Sequence, residues 1–271
     1  MGIDPRTAGF RSPRAEDYPE LAGYSRADAY RDAMGGGGLY LAARMTRSMD
    51  LHPGDVVLDL GCGKGESSIF LASRFGVKVV AVDLWTEAAY LASKMAARGH
   101  RLDVVPLNLD ATGRLPFADG YFDSVFCMNS LSFYGGSADF LGHLLRHLKP
   151  GGVFSVGMET LNADFTPEQL AHPPAVYSYQ LPGGGDVWEG DFLRMETPNW
   201  WERLFRESGL LDVVRFGELE DAAVLYEDLV LHNLEHGLEP EDTEHCIEQI
   251  LWGRRNRPAK TLFALAARKK E

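Results

Sequence analysis

Short apolar runs alternate with segments of helical period along the middle of the chain. Val56-Val57-Leu58-Asp59-Leu60 is the kind of run that forms a strand buried on both faces, and residues 66–75 repeat their apolar positions at helical spacing. The pairing recurs. A strand is expected at 77–84, a helix over 86–98, strands at 102–107 and 121–128, a helix over 137–148, and a fifth strand at 152–158 after the Pro150-Gly151 turn. Strand–helix repetition at this spacing predicts a doubly wound α/β architecture, a parallel sheet with helices on both faces.

The flanks read differently. Met1 to Ala22 mixes proline, glycine and charge without a period and reads as a loose arm. Helices are expected at 25–33 and 39–49, the second with Leu39, Ala42, Ala43 and Met45 or Met49 inward. The Gly35–Gly38 run between them marks a hinge or a place where backbone meets ligand. Residues 160–196 are irregular and aromatic, as a lid would be. Thr197 then caps a helix with Pro198 at its first position. A sixth strand (213–219), two helices (222–236 and 241–252) and a final strand (262–267) follow. The organisation is an arm with helices (1–50), a core (51–159) and a region completing the sheet (160–271), with cap insertions at 160–196 and 220–258.

Composition narrows the class. The chain has 271 residues, 45% hydrophobic and 24% charged, which suits a globular fold with its own core. No apolar run reaches the ~18–20 residues of a membrane span, and the start lacks a signal-peptide core. Three cysteines, Cys62, Cys127 and Cys246, suit neither a disulfide framework nor a zinc site. A cytoplasmic location is expected, with no membrane partner. Residues 159–248 carry 21 acidic and 4 basic side chains, a face that would repel a phosphate backbone, so nucleic acid is not expected as a partner.

The first strand–helix junction reads Asp59-Leu60-Gly61-Cys62-Gly63-Lys64-Gly65. Glycines there let the backbone turn sharply and approach a ligand at the helix N-terminus. Glu66 stands where the dinucleotide-binding spacing needs its third glycine, and Leu58 and Gly65 break the phosphate-loop pattern. Asp83, 20 residues after Gly63, closes the second strand where a carboxylate accepts from ribose hydroxyls. Asn108-Leu109-Asp110-Ala111 sets another carboxylate over the same crevice. Together the three point to an adenosine-bearing ligand.

These segments resemble the motifs of class I S-adenosylmethionine-dependent methyltransferases. Val57 to Gly65 is similar to the first and Val79-Val80-Ala81-Val82-Asp83 to the second. Asp110-Ala111 before Leu115-Pro116-Phe117, Phe122-Asp123-Ser124-Val125 with Asn129, and Leu148-Lys149-Pro150-Gly151-Gly152 follow in order. The resemblance covers about residues 56–158 and, in strand order, 211–268. It implies a Rossmann-like seven-stranded sheet, with the final strand inserted antiparallel between the fifth and sixth. It also implies S-adenosylmethionine as cofactor, S-adenosylhomocysteine as product, and residues 1–50 closing over the site. Asp59 would orient the loop Gly61-Cys62-Gly63 and reach the methionine ammonium. Asp83 would hold the ribose, with Leu84 and Trp85 beside the adenine. Asp110 would accept from the adenine amino group, the Ala111 N–H would donate to the ring, and Asn129 would lie near the methionine.

Methyl transfer from a sulfonium requires proximity and alignment above all, and a base only where the nucleophile arrives protonated. Tyr134 (with Ser132), Glu159 and His232 are the candidates. Glu159 equally suits a positioning role, and His232 with His236 suits a solvated helix face; the histidine pair lacks a third metal ligand, so no metal is expected. Tyr177, Tyr179 and Trp188 are candidate substrate contacts. The expected partner is a small-molecule acceptor, methylated on O or N, of the kind found in secondary metabolism; aromatics amid carboxylates suit a cation or a flat hydrophobic metabolite. Monomer and homodimer both stay open. Two alternatives remain: a cofactor-binding partner protein of this fold without transferase activity, and an NAD(P)-dependent oxidoreductase, which the glycine spacing disfavours.

Overall fold

The computed structural model describes residues 4–97, 103–162, 196–256, 258 and 260–271. Seven strands make one sheet: β1 (Val56–Leu60), β2 (Lys78–Asp83), β3 (Val104–Asn108), β4 (Phe122–Met128), β5 (Leu148–Leu161), β6 (Leu211–Glu218) and β7 (Lys260–Lys269). Their spatial order is β3-β2-β1-β4-β5-β7-β6. The first five pair in parallel, and β7 runs antiparallel to both β5 and β6. This is the inserted antiparallel strand that the resemblance implies. It also separates the fold from the 3-2-1-4-5-6 order of nicotinamide dinucleotide domains.

Helices cover both faces: α1 (Arg26–Tyr30), α2 (Gly38–Thr46), α3 (Glu66–Phe75), α4 (Ala88–Ala97), α5 (Ala138–Leu145), α6 (Pro198–Glu207), α7 (Ala222–His236) and α8 (Pro240–Arg255). Strand alternation divides the core. Val57, Val79 and Ala81 face Leu41, Met45 and Phe70 on one side, while Leu58, Leu60, Val80 and Val82 face Phe140, Leu144, Trp201 and Phe205 on the other. Both faces being covered, β1 and β2 are apolar throughout except for Asp59 and the terminal Lys78 and Asp83. Met45 and Met49 are both buried, and Thr197 caps α6 with its hydroxyl accepting from the Trp200 N–H.

Two expectations are corrected. β5 begins at Leu148, ahead of the turn, and runs to Leu161, because antiparallel pairing with β7 extends it to that residue. The N-terminal arm is not loose. From residue 5 it forms short 3-10 turns, two of them started by Pro5 and Pro19, and it buries Thr7, Tyr18 and Leu21. Cations of the arm and of α1 and α2 reach the acidic second half: Arg6 pairs with Glu244, Arg11 with Glu227, Arg26 with Asp228 and Glu235, and Arg44 with Asp221. Part of the charge asymmetry along the chain is therefore charge pairing within the fold.

Candidate functional site

The glycine loop leaves β1 with Gly61 at φ 70°, Gly63 at 52° and Gly65 at 82°, a left-handed run that glycine adopts at least cost. The Gly61 and Cys62 N–H groups both donate to the Val82 carbonyl, and the Gly63 N–H donates to Asp83 at 2.8 Å. These bonds fix the loop against the end of β2. A side chain at Gly61 would collide with Ser130, whose hydroxyl donates to the Leu60 carbonyl at 2.7 Å. The Tyr134 hydroxyl also stands over Gly61.

Asp59 lies beneath this loop, fully buried. One carboxylate oxygen accepts from the hydroxyls of Ser67 and Ser68, at 2.7 and 2.6 Å, in the first turn of α3. Its Oδ1 is buried without a hydrogen-bond partner. Burial pushes its carboxyl up to about 6 against the pull of the two serines. An ionised carboxylate there has no ion-pair partner among the described residues, which favours a positive group arriving above it.

Above the loop opens a crevice of about 360 Å³, walled by Gly61, Gly63, Asp83, Leu84, Trp85, Asp110, Asn129, Tyr134 and Glu159 among others. A small recess of about 40 Å³ beside it reaches Cys62, Lys64 and Ser67 under residues 31–39. The sheet's carboxyl ends face this crevice, where open α/β folds bind ligands. Asp83 holds the second turn through the Trp85 and Thr86 N–H groups, at 2.9 and 2.8 Å. Leu84 and Trp85 are exposed at the rim, and Trp85 meets Phe133 edge to face at 5.5 Å. Asp110 accepts from the N–H and hydroxyl of Thr112, which lower its carboxyl pKa. Ala111 is buried behind it.

Asn129 stands at φ 53°, a strained position for a non-glycine residue that the surrounding bonds hold. Its amide nitrogen donates to the Gly36 carbonyl at 3.1 Å and its oxygen accepts from the Glu159 N–H at 3.1 Å. It thus ties the glycine run before α2 to the ends of β4 and β5. Glu159 pairs with Lys260 at 2.9 Å and accepts from the Tyr226 hydroxyl at 2.8 Å.

The other sequence candidates are placed as follows. Tyr134 is half-buried and stacked on Phe140 at 5.0 Å, and burial pushes its phenol well up. His232 is buried rather than on a solvated face; it packs against Tyr30 and His236 and does not line the crevice. Burial lowers its pKa. Tyr177, Tyr179 and Trp188 lie outside the described residues. Sequence reasoning missed Met34, which contributes to both the crevice and the recess, and Lys260 as the partner of Glu159. Neither carries a motif, and only the folding of distant segments brings them there.

The residues fit a cofactor with an adenosine end and a cationic methionine end. Asp83 and Asp110 flank the crevice, the glycine loop carries no Cβ, and the unpartnered Oδ1 of Asp59 awaits a positive group. The methyltransferase-domain family model matches residues 57–152. The chain belongs to the class I S-adenosylmethionine-dependent methyltransferases. It is 34% identical over 168 residues to a ubiquinone biosynthesis O-methyltransferase of Burkholderia pseudomallei, covering 60% of this chain and 68% of that protein. It is 30% identical over 180 residues to erythromycin 3''-O-methyltransferase of Saccharopolyspora erythraea, covering 64% of this chain and 56% of the relative. The match thus spans little more than half of that relative. In fold it is similar to the [4+2]-cyclase SpnF, with a TM-score of 0.66 at 17% identity over 96% of this chain and 97% of that one.

Proposed function

We propose that the chain transfers a methyl group from S-adenosylmethionine to a hydroxyl oxygen of a small metabolite, in the cytoplasm and in secondary metabolism. The observation that carries the reading is the convergence of Asp83, Asp110, the glycine loop and Asn129 on one crevice at the carboxyl edge of the sheet. The O-methyltransferase names of the two relatives support oxygen as the acceptor atom.

When bound, the cofactor supplies an electrophilic methyl on a sulfonium. The chain's own residues would do the rest. Asp83 holds ribose hydroxyls, Asp110 and the Ala111 N–H meet the adenine, and the buried Asp59 carboxylate with the Gly61 carbonyl attracts the ammonium. Gly61, Cys62 and Gly63 form the floor, and Asn129 keeps residues 34–36 over it. A hydroxyl acceptor forms its new C–O bond as the S–C bond breaks, and its proton must leave. Glu159 is the candidate base that lines the crevice with a carboxylate. Tyr134, a phenol that burial raises further from neutral pH, keeps its proton, and His232 does not line the crevice.

Isothermal titration with S-adenosylhomocysteine tests the cofactor half. Binding to the wild type should weaken about 100-fold in Asp83→Ala, since a charge-assisted bond pair is worth ~1.5–3 kcal/mol. An unchanged affinity would place the ribose elsewhere. A second reading is a protein of this fold that does not transfer methyl, a fold that the [4+2]-cyclase SpnF shares. S-adenosylhomocysteine formation during incubation with hydroxylated metabolites separates the two.

A further inference from the structure

A second cavity, of about 640 Å³, lies behind Glu159. The arm at Arg11, the end of β5, α7 at Tyr226 and Glu227, α8 at Gln249 and Arg254, and the start of β7 enclose it. Glu159 borders both this cavity and the cofactor crevice, alone among the described lining residues. The crevice sits near the lower end of the ~300–1,000 Å³ typical of small-molecule sites, so a nucleoside-bearing cofactor leaves little of it for an acceptor. The second cavity is large enough to hold one.

Its charges are already matched. Glu227, whose side chain is 3% exposed, accepts from the Arg11 N–H at 2.9 Å and from the Arg254 guanidinium at 2.7 Å. Glu159 is engaged by Lys260 and Tyr226. The one further carboxylate on the lining, Glu220, is exposed to solvent. Arg11 and Arg254 keep part of their surface in solvent, but Glu227 is buried, so a cation would have to displace an arginine from it and an anion would draw one away, and leaving that carboxylate unpaired is costly. A neutral ligand meets no such penalty. Between the pairs stand the amides of Asn162 and Gln249 and the Thr261 hydroxyl, with Leu219 and Ile250 as apolar wall.

We infer that this cavity holds the body of the acceptor, and that the acceptor is a neutral, hydroxyl-bearing molecule with an apolar part, of the size of an aryl glycoside. The acidic excess of residues 159–248 suggests a cation instead, but Arg11 of the arm, Arg254 of α8 and Lys260 of β7 offset it where this cavity forms. Naming the ligand an acceptor rests on the methyl-transfer reading; occupancy and charge preference do not.

Cys246 lines the cavity and is partly exposed, whereas Cys62 and Cys127 are buried, so its alkylation reports on access. Burial pushes its thiol up to about 11, which sets a slow, measurable rate at pH 8.5. The rate of iodoacetamide labelling of the Cys246 peptide is followed by mass spectrometry with S-adenosylhomocysteine present. Phenyl β-glucoside, phenethylamine and 3-phenylpropionate are added separately at equal millimolar concentration. The glucoside should slow labelling ~3-fold, as expected at twice its dissociation constant, and the charged probes should not. Equal protection by an ammonium or carboxylate, or none by the glucoside, overturns the inference. Ala223→Trp, which fills the cavity, should abolish the protection while leaving S-adenosylhomocysteine affinity unchanged in titration; protection that survives it also overturns the inference. Gln249→Leu, which keeps side-chain volume, reads the same loss should the tryptophan variant not fold. Failure of the cofactor titration alone sinks the methyl-transfer reading and leaves the labelling result standing.

Discussion

The backbone N–H of Glu159 donates to the side-chain oxygen of Asn129 at 3.1 Å, joining the ends of β4 and β5 through a residue held at positive φ. The same side chain holds the carbonyls of Gly36 and Met34, so one residue connects the carboxyl edge of the sheet to the segment over the crevice. Asn129→Ala removes these bonds and keeps the strained backbone. S-adenosylhomocysteine affinity should fall about tenfold, the equivalent of ~1.4 kcal/mol, by isothermal titration. Unchanged binding would mean that residues 34–36 are held by other contacts.

Asp59 makes a pH prediction. Its carboxyl is raised from 3.8 to about 6, so between those values the folded state binds more protons than the unfolded state, and stability from this group falls as pH rises. Its contribution is fully present below about pH 4 and lost as pH rises through 6. Asp59→Asn, which cannot ionise, escapes the loss. Relative to wild type, its urea stability without cofactor should improve by roughly 2–3 kcal/mol between pH 4 and 7.5. A constant difference would show that Asp59 titrates normally.

Gly61→Ala tests the loop. The substitution demands both a left-handed alanine, at ~1 kcal/mol or more, and displacement of Ser130. Cofactor affinity should drop at least tenfold in titration, with a lowered melting temperature. Gly120→Ala, also at positive φ but where a side chain would meet only Lys149 at ordinary contact distance, should lower the melting temperature only slightly and leave cofactor affinity unchanged.

Tyr18 and Asp221 test the arm. The buried Tyr18 hydroxyl donates to Asp221 at 2.5 Å, and Asp221 also pairs with Arg44 at 2.9 Å. Tyr18→Phe should cost ~1.5–2 kcal/mol, or roughly 5 °C in Tm by calorimetry. Arg6→Ala, which breaks only solvent-accessible pairs, with Asp4 and Glu244, should leave Tm nearly unchanged. Equal losses from both variants would mean that burial does not set the worth of these contacts.

Much of the core was legible because its signals are local. β1 and α3 fall at the residues where apolar run and helical period end, since both depend on neighbours within a few positions. The glycine loop and Asp83 were legible for the same reason: the turn needs glycine and the strand end needs a carboxylate. The arm was misread because its order does not come from a period of its own. Tyr18 and Arg11 are held by Asp221 and Glu227, more than 200 residues away. His232 was misread because its exposure depends on Tyr30 of another helix packing against it.

The sequence by itself determined the alternating strands and helices, the glycine turn and the carboxylates that follow it, because backbone geometry and side-chain burial act over short spans. The tertiary structure decided where the charge went. Residues 159–248 are strongly acidic in sequence, yet the second cavity is lined by matched pairs, because Arg11 of the arm and Arg254 of α8 meet on Glu227 only once the chain has folded. Net charge adds along a chain without regard to position, whereas the field a ligand meets depends on which charges lie within a few ångströms of one another.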